Sequence, residues 1–187
     1  MKISILLPYK ENFSPEYPGA VSLFINETTF VSRYKSHIKV YGSTEYKKKF
    51  KIRYQNIDLK KRFIGSQSRA YIESFIQFER KEPSDLIEVH NRPNYLKFIE
   101  KKLNKRNYTL FFHNDPLSME GSKSAEDRIH LLNTCYRIIF NSNWSKKRFL
   151  EGLENKFINS VKLLVFFQSA KKSHIKIIPQ KKKWITF

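Results

Sequence analysis

Short apolar runs and amphipathic stretches take turns along this chain. "KISILLP" (2–8) is apolar and ends at a proline, which predicts a buried strand. "AVSLFINETTFVSRY" (20–34) places Val21, Phe24, Ile25 and Thr28 on one face at helical spacing. "HIKVYG" (37–42) predicts a second strand closed by glycine, and "IRYQNI" (52–57) a short third one. Ser66 stands where it can cap a helix over 67–80, whose apolar face is Ala70, Phe75, Ile76 and Phe78. "DLIEVH" (85–90) predicts a further strand, broken by Asn91, Arg92 and Pro93. A helix over 94–103 follows, with Leu96, Phe98, Ile99 and Leu103 in its pattern. "YTLFFH" (108–113) predicts a strand that runs into Asn114, Asp115 and Pro116. The Ser124-x-x-Asp127 arrangement opens a helix over 124–135. "YRIIFNS" (136–142) predicts a strand, "NWSKKRFLEGLE" (143–154) a helix, and "VKLLVFF" (161–167) a last strand.

Strands separated by helices of this length argue for βαβ units. The predicted class is α/β: a Rossmann-like parallel sheet with helices on both faces, forming one domain over residues 1–170. There is no internal repeat and no low-complexity tract. Over 171–187, "IKIIPQKKK" reads as a linker and "WITF" as the opening of another strand, expected to begin a second domain.

Composition narrows the classes. The chain has 187 residues, 40% hydrophobic and 15% aromatic, enough for a real core in a single domain. No apolar run approaches the roughly 18 residues of a spanning helix. The amino-terminal run is cut by Pro8 and lacks a small-residue cleavage site, unlike a secretory signal. Cys135 is the single cysteine, which excludes an internal disulfide and suits a reducing cytoplasm. Lys and Arg number 36 against 17 Asp and Glu, a net charge of +19. Such an excess draws nucleic acid, anionic lipid or phosphorylated ligands, or is simply the solvated surface of a lysine-rich chain. The basic clusters at 45–53, 59–63, 100–106, 144–149 and 180–184 fall in different elements. None has the aromatic interleaving of a single-strand-binding platform.

Candidate chemistry collects at strand ends, which share one edge in a parallel sheet. One end delivers Pro8, Tyr9 and Lys10 and the loop to Gly19; another His90, Asn91 and Arg92; a third His113, Asn114 and Asp115. A lone strand-end histidine is most often a hydrogen-bonded structural residue; two His-Asn pairs weaken that reading. No His or Cys pair has zinc-ligand spacing, and there is neither a P-loop nor a G-x-G-x-x-G motif. Gly19, at a helix start, either lets backbone amides meet an anion or is an ordinary loop glycine. Asp115 reads equally as a base or as a turn former before proline. Cys135, at a helix-to-strand junction, reads as packed.

"DLIEVHNRPNY" (85–95), "LFFHNDP" (110–116) and "RIIFNSNWSKKRFLEG" (137–152), in that order, resemble the amino-terminal domain of family-four glycosyltransferases, the retaining two-domain GT-B enzymes. "SPEYPGAVSLFINE" (14–27) is similar to that family's glycine-bearing loop, with Ala20 after Gly19 where the family usually has a second glycine. The resemblance covers nearly all of the chain. It implies a Rossmann-like domain that binds a glycan or lipid-linked acceptor, facing a carboxyl-terminal domain that binds most of the nucleotide sugar. That second domain's paired glutamates are absent here, and "KKKWITF" resembles its first strand. By the same resemblance His113 matches the strand-end histidine that faces acceptor and transferred sugar, hydrogen-bonding a sugar hydroxyl or orienting the nucleophile without acting as a general base. His90, Asn91, Arg92, Asn114 and Asp115 would surround the acceptor, and Gly19 and Ala20 would form a phosphate-facing loop. No metal and no cofactor beyond the nucleotide-sugar cosubstrate is implied. The expected setting is cytoplasmic, with peripheral contact to an anionic membrane face, and the chain is expected to be inactive alone. Two alternatives stand beside this: a basic α/β domain that binds nucleic acid, and a non-catalytic partner of a separate donor-binding chain.

Overall fold

A computed structural model describes residues 1–59, 66–103, 106–158 and 160–167. The elements run β1 (Ile3–Leu6), α1 (Ala20–Val31), β2 (Ile38–Gly42), β3 (Tyr54–Asn56), α2 (Gln67–Lys81), β4 (Leu86–His90), α3 (Pro93–Lys102), β5 (Asn107–Phe112), α4 (Ala125–Thr134), β6 (Arg137–Phe140), α5 (Asn143–Leu150) and β7 (Leu163–Val165). Every strand pairing is parallel, in the order β3-β2-β1-β4-β5-β6-β7. The chain winds outward from β1 in one direction and then restarts at β4 in the other. That reversal opens a crevice at the carboxyl ends of β1 and β4. The fold is Rossmann-like α/β, as the alternating pattern predicts. The segment 171–187, expected to be a linker and an opening strand, lies outside the described residues.

Local chemistry accounts for where the helices begin. Ser66, Ser124 and Ser142 cap α2, α4 and α5, each hydroxyl accepting a hydrogen bond from an amide in the first turn. Each such cap contributes about 1 kcal/mol. Pro93, expected to end a strand, is also the first residue of α3, where a missing N–H costs nothing.

The two sheet faces are covered unequally among the described residues. On one, α2, α3, α4 and α5 pack on Leu6, Ile87, Val89, Leu110, Phe112, Ile138 and Phe140 in a large core. On the other, α1 sets Val21 and Ile25 against Ile3, Ile5, Leu7 and Val40, while Leu164 and Phe166 are exposed. The buried stripes differ from the predicted ones in three helices: in α2, Phe78 is half-buried, and Tyr71, Ile72 and Glu79 go in. In α1, Phe24 and Thr28 are half-buried, and Ser22 and Thr29 go in. In α3, Phe98 is exposed and Tyr95 takes the core position, because Tyr95, Leu96, Ile99 and Leu103 share the inward face. Arg69 stacks its guanidinium 5.5 Å from the outward Phe98 ring.

Polar groups inside the large core are bonded. Tyr71 Oη donates to the Leu7 carbonyl at 2.9 Å. The Glu79 carboxylate accepts from Ser4 Oγ and from Ser84 N and Oγ. Arg128, 5% exposed, donates to the Phe149 and Glu151 carbonyls at 2.8 and 2.7 Å, closing the last turn of α5 from α4. Among the described residues no helix is long and apolar enough to cross a membrane.

Candidate functional site

The site grows out of strand alternation. In the β4–β5 ladder Glu88 lies opposite Thr109 and His90 opposite Phe111. Ile87 and Val89 face the large core, so Glu88 and His90 face the α1 side together with Phe111 and the next outward residue, His113. Because β5 runs beyond β4, His113 reaches back over His90. The three polar groups join end to end: Glu88 Oε1 to His90 Nε2 at 2.6 Å, and His90 Nδ1 to His113 Nε2 at 2.8 Å. The Phe111 ring lies flat against both imidazoles, 5.3 Å from His90 and 4.5 Å from His113. Phe24 of α1 meets His113 edge-on at 5.1 Å. Burial, and secondly the charge of His90, lower the pKa of His113 to about 3, so this ring is neutral at physiological pH.

Two asparagines hold the main chain of His113. Asn91 has φ +53°, a left-handed conformation that asparagine tolerates. This turns its side chain so that Oδ1 accepts from His113 N at 2.9 Å, while its own amide donates to the Phe111 carbonyl at 2.8 Å. From the far side Asn141, just past β6, donates Nδ2–H to the His113 carbonyl at 2.7 Å.

The remaining expected residues take different places. His90 is fully buried and Asn91 6% exposed, so both support His113 from beneath. Arg92 donates to the Asn91 carbonyl at 2.8 Å and leads into α3. Asn114 is exposed at the rim. Asp115 already has two partners within the chain. It caps the short turn Pro116–Ser118 by accepting from Leu117 N at 3.1 Å, and it pairs with both Arg148 Nε (3.4 Å) and Nη2 (3.3 Å). The loop expected to face phosphate is likewise filled from within. Gly19 precedes the first turn of α1, and Glu11 Oε1 accepts from Ser22 N there at 3.1 Å. A Cβ on Gly19 would collide with the Glu11 carboxylate. That carboxylate meets α1 where a phosphate would.

Glu88 and Asn141 were not among the expected residues. Glu88 stands two positions before His90 in "EVH", the spacing that puts both on one sheet face. Asn141 is the first residue past its strand, the same position as Asn91 and His113. A cavity of about 560 Å³, lined by Tyr9, Lys10, Asn12, Ser43, Glu45 and Tyr46, lies past the ends of β1 and β2, beside the crevice. Among the described residues no group of three or more His, Cys, Asp or Glu can hold a metal ion; Glu88, His90 and His113 are strung in line. Cys135 is packed, and burial pushes its thiol up to about 12.

No family model and no curated protein matches the chain. Among solved structures, it is similar to HepE of Anabaena in complex with UDP and glucose, at 17% identity and a TM-score of 0.58, over 91% of this chain and 45% of that one. It is also similar to HepE in complex with UDP, at 16% identity and a TM-score of 0.56, over 89% and 44%. The chain thus spans less than half the length of the structures it matches. At these identities the likeness is one of fold: this chain and part of HepE share the same Rossmann-like α/β architecture.

Proposed function

We propose that this chain is the acceptor-side domain of a retaining glycosyltransferase of the GT-B type, similar to family four. The observation that carries the reading is a neutral histidine, His113, held by fixed partners at the carboxyl edge of a parallel sheet, in a fold shared with a protein that binds UDP and glucose. A neutral imidazole hydrogen-bonds sugar hydroxyls without demanding a charged partner. The polar cavity past β1 and β2, with Lys10, Asn12, Ser43 and Glu45, takes the rest of a glycan or lipid-linked acceptor. In this reading residues 1–170 form the acceptor domain, and the nucleotide sugar is held mainly by a second domain, so the phosphate has no need of the loop filled by Glu11. The lysine-rich surface serves contact with an anionic membrane face.

Titrating the chain with neutral oligosaccharides, and separately with UDP-sugars, while following the His90 and His113 imidazole resonances tests the reading. Oligosaccharides are expected to move His113 with weak salt dependence, and the chain alone is expected to transfer no sugar. Transfer by residues 1–187 would overturn the division of labour. Binding to nucleic acid with a steep salt dependence, and none to sugars, would replace the reading altogether.

A further inference from the structure

The bonds running from Glu88 through His90 to His113 admit one arrangement of hydrogens when both rings are neutral. A carboxylate only accepts, so His90 Nε2 carries its hydrogen toward Glu88 Oε1. A neutral imidazole has a single N–H, which leaves His90 Nδ1 as a lone pair. The 2.8 Å contact from that lone pair to His113 Nε2 then requires the hydrogen to sit on His113 Nε2. The lone pair of His113 is thereby placed on Nδ1.

We propose that Glu88, acting through His90, is a positioning residue that fixes His113 as the Nε2–H tautomer, making its Nδ1 edge a hydrogen-bond acceptor. Any group meeting that edge must bring a hydrogen. A hydroxyl or an amide fits; a phosphate or carboxylate oxygen, with no hydrogen to offer at neutral pH, meets lone pair with lone pair.

Three further observations support the assignment. His90 is fully buried, with no solvent-facing edge at which water could stand in for Glu88. Phe111 lies flat on both rings, and the two asparagines pin the main chain of His113, so the imidazoles keep their facing edges. Nearby, the amide of Ser22 in the first turn of α1 is already given to Glu11. The acceptor on His113 and the closed amide both favour a neutral polyol over an anion. The identity of that polyol as a glycosyl acceptor rests on the function proposed above; the tautomer rests on the geometry with both rings neutral.

The test is a nitrogen-15 long-range correlation spectrum of the histidine rings, recorded above the ordinary imidazole range. The wild-type chain is expected to show His113 protonated at Nε2 and bare at Nδ1. Glu88→Gln keeps the shape, but its amide both donates and accepts, so both rings should lose the single tautomer and become mixtures. The backbone spectrum verifies that the fold is kept, and Glu88→Ala serves as the second variant. A wild-type His113 carrying its hydrogen on Nδ1 would overturn the proposal, as would an undivided Nε2–H tautomer in both variants. Methyl glucoside and inorganic phosphate at equal concentration then separate the ligand classes. A shift of the His113 Nδ1 signal with the glucoside alone supports the assignment, and one with phosphate alone overturns it. No shift with either, in a chain whose tautomer is as assigned, removes the glycosyl-acceptor reading and leaves the role of Glu88 standing.

Discussion

The dipeptide His-Asn occurs twice, past the business end of neighbouring strands, and the two copies meet opposite fates. His90-Asn91 is almost wholly buried, whereas His113-Asn114 runs from half-buried to exposed. The cause is strand length: β5 extends one residue past the partner of the last β4 residue, so His113, the next residue on, lies over His90. The lower pair became a support, with His90 as the middle link and Asn91 as the bracket for His113. In the proposed function the upper pair is the surface that a ligand meets. Identical local sequence thus gives no guide to role; register against the neighbouring strand does.

The comparison breaks most sharply at His90. His90→Ala removes a packed ring and the partner of two polar groups, and should cost about 3 kcal/mol in denaturant unfolding. A loss no larger than that of His113→Ala would mean that the two pairs are equivalent. Next comes Asn91→Ala, which replaces a residue tolerant of positive φ by one that is not and strips the bracket from His113 N. About 2 kcal/mol is expected, against under 0.5 kcal/mol for Asn114→Ala at the rim.

A pH-dependent effect belongs to His113. Its folded pKa of about 3 lies below the ordinary 6.5, so between those values the unfolded chain binds the extra proton. Stability is therefore full above pH 6.5 and falls as the pH drops toward 3, with a contribution on the order of 1 kcal/mol per pH unit. In His113→Gln this part of the slope should vanish while the rest of the acid profile stays. An unchanged slope would show that the ring takes up its proton in the folded state.

Much of the architecture was legible because strand and helix carry different periods. The serine caps at positions 66 and 124 and the apolar strands located the elements, and their alternation implied a parallel sheet. Side-chain direction was harder. Phe98 reads as core by hydrophobicity, yet Tyr95 holds the inward place, a choice made by packing of α3 against its neighbours. At the site, the meeting of His90 with His113 was foreseeable from shared strand ends. Glu88 was passed over because a glutamate inside a strand reads as a solvent-facing residue; its partner arrives only through the ladder. Asp115 and the Gly19 loop were read from local motif, and each is occupied by a partner outside that motif, Arg148 in one case and Glu11 in the other.

That last contact binds two sequence positions into one unit. Any side chain at position 19 evicts the Glu11 carboxylate, and eviction strips the first turn of α1 of its acceptor. Conversely, a shortened residue at position 11 makes room for a side chain at 19. Positions 11 and 19 are therefore expected to drift together: a side chain at 19 displaces the end of the Glu11 side chain from the Ser22 amide, and a shorter residue at 11 leaves room for it. The glycine leaves room for a glutamate eight residues upstream, and its own backbone angles, which any residue adopts, do not require it.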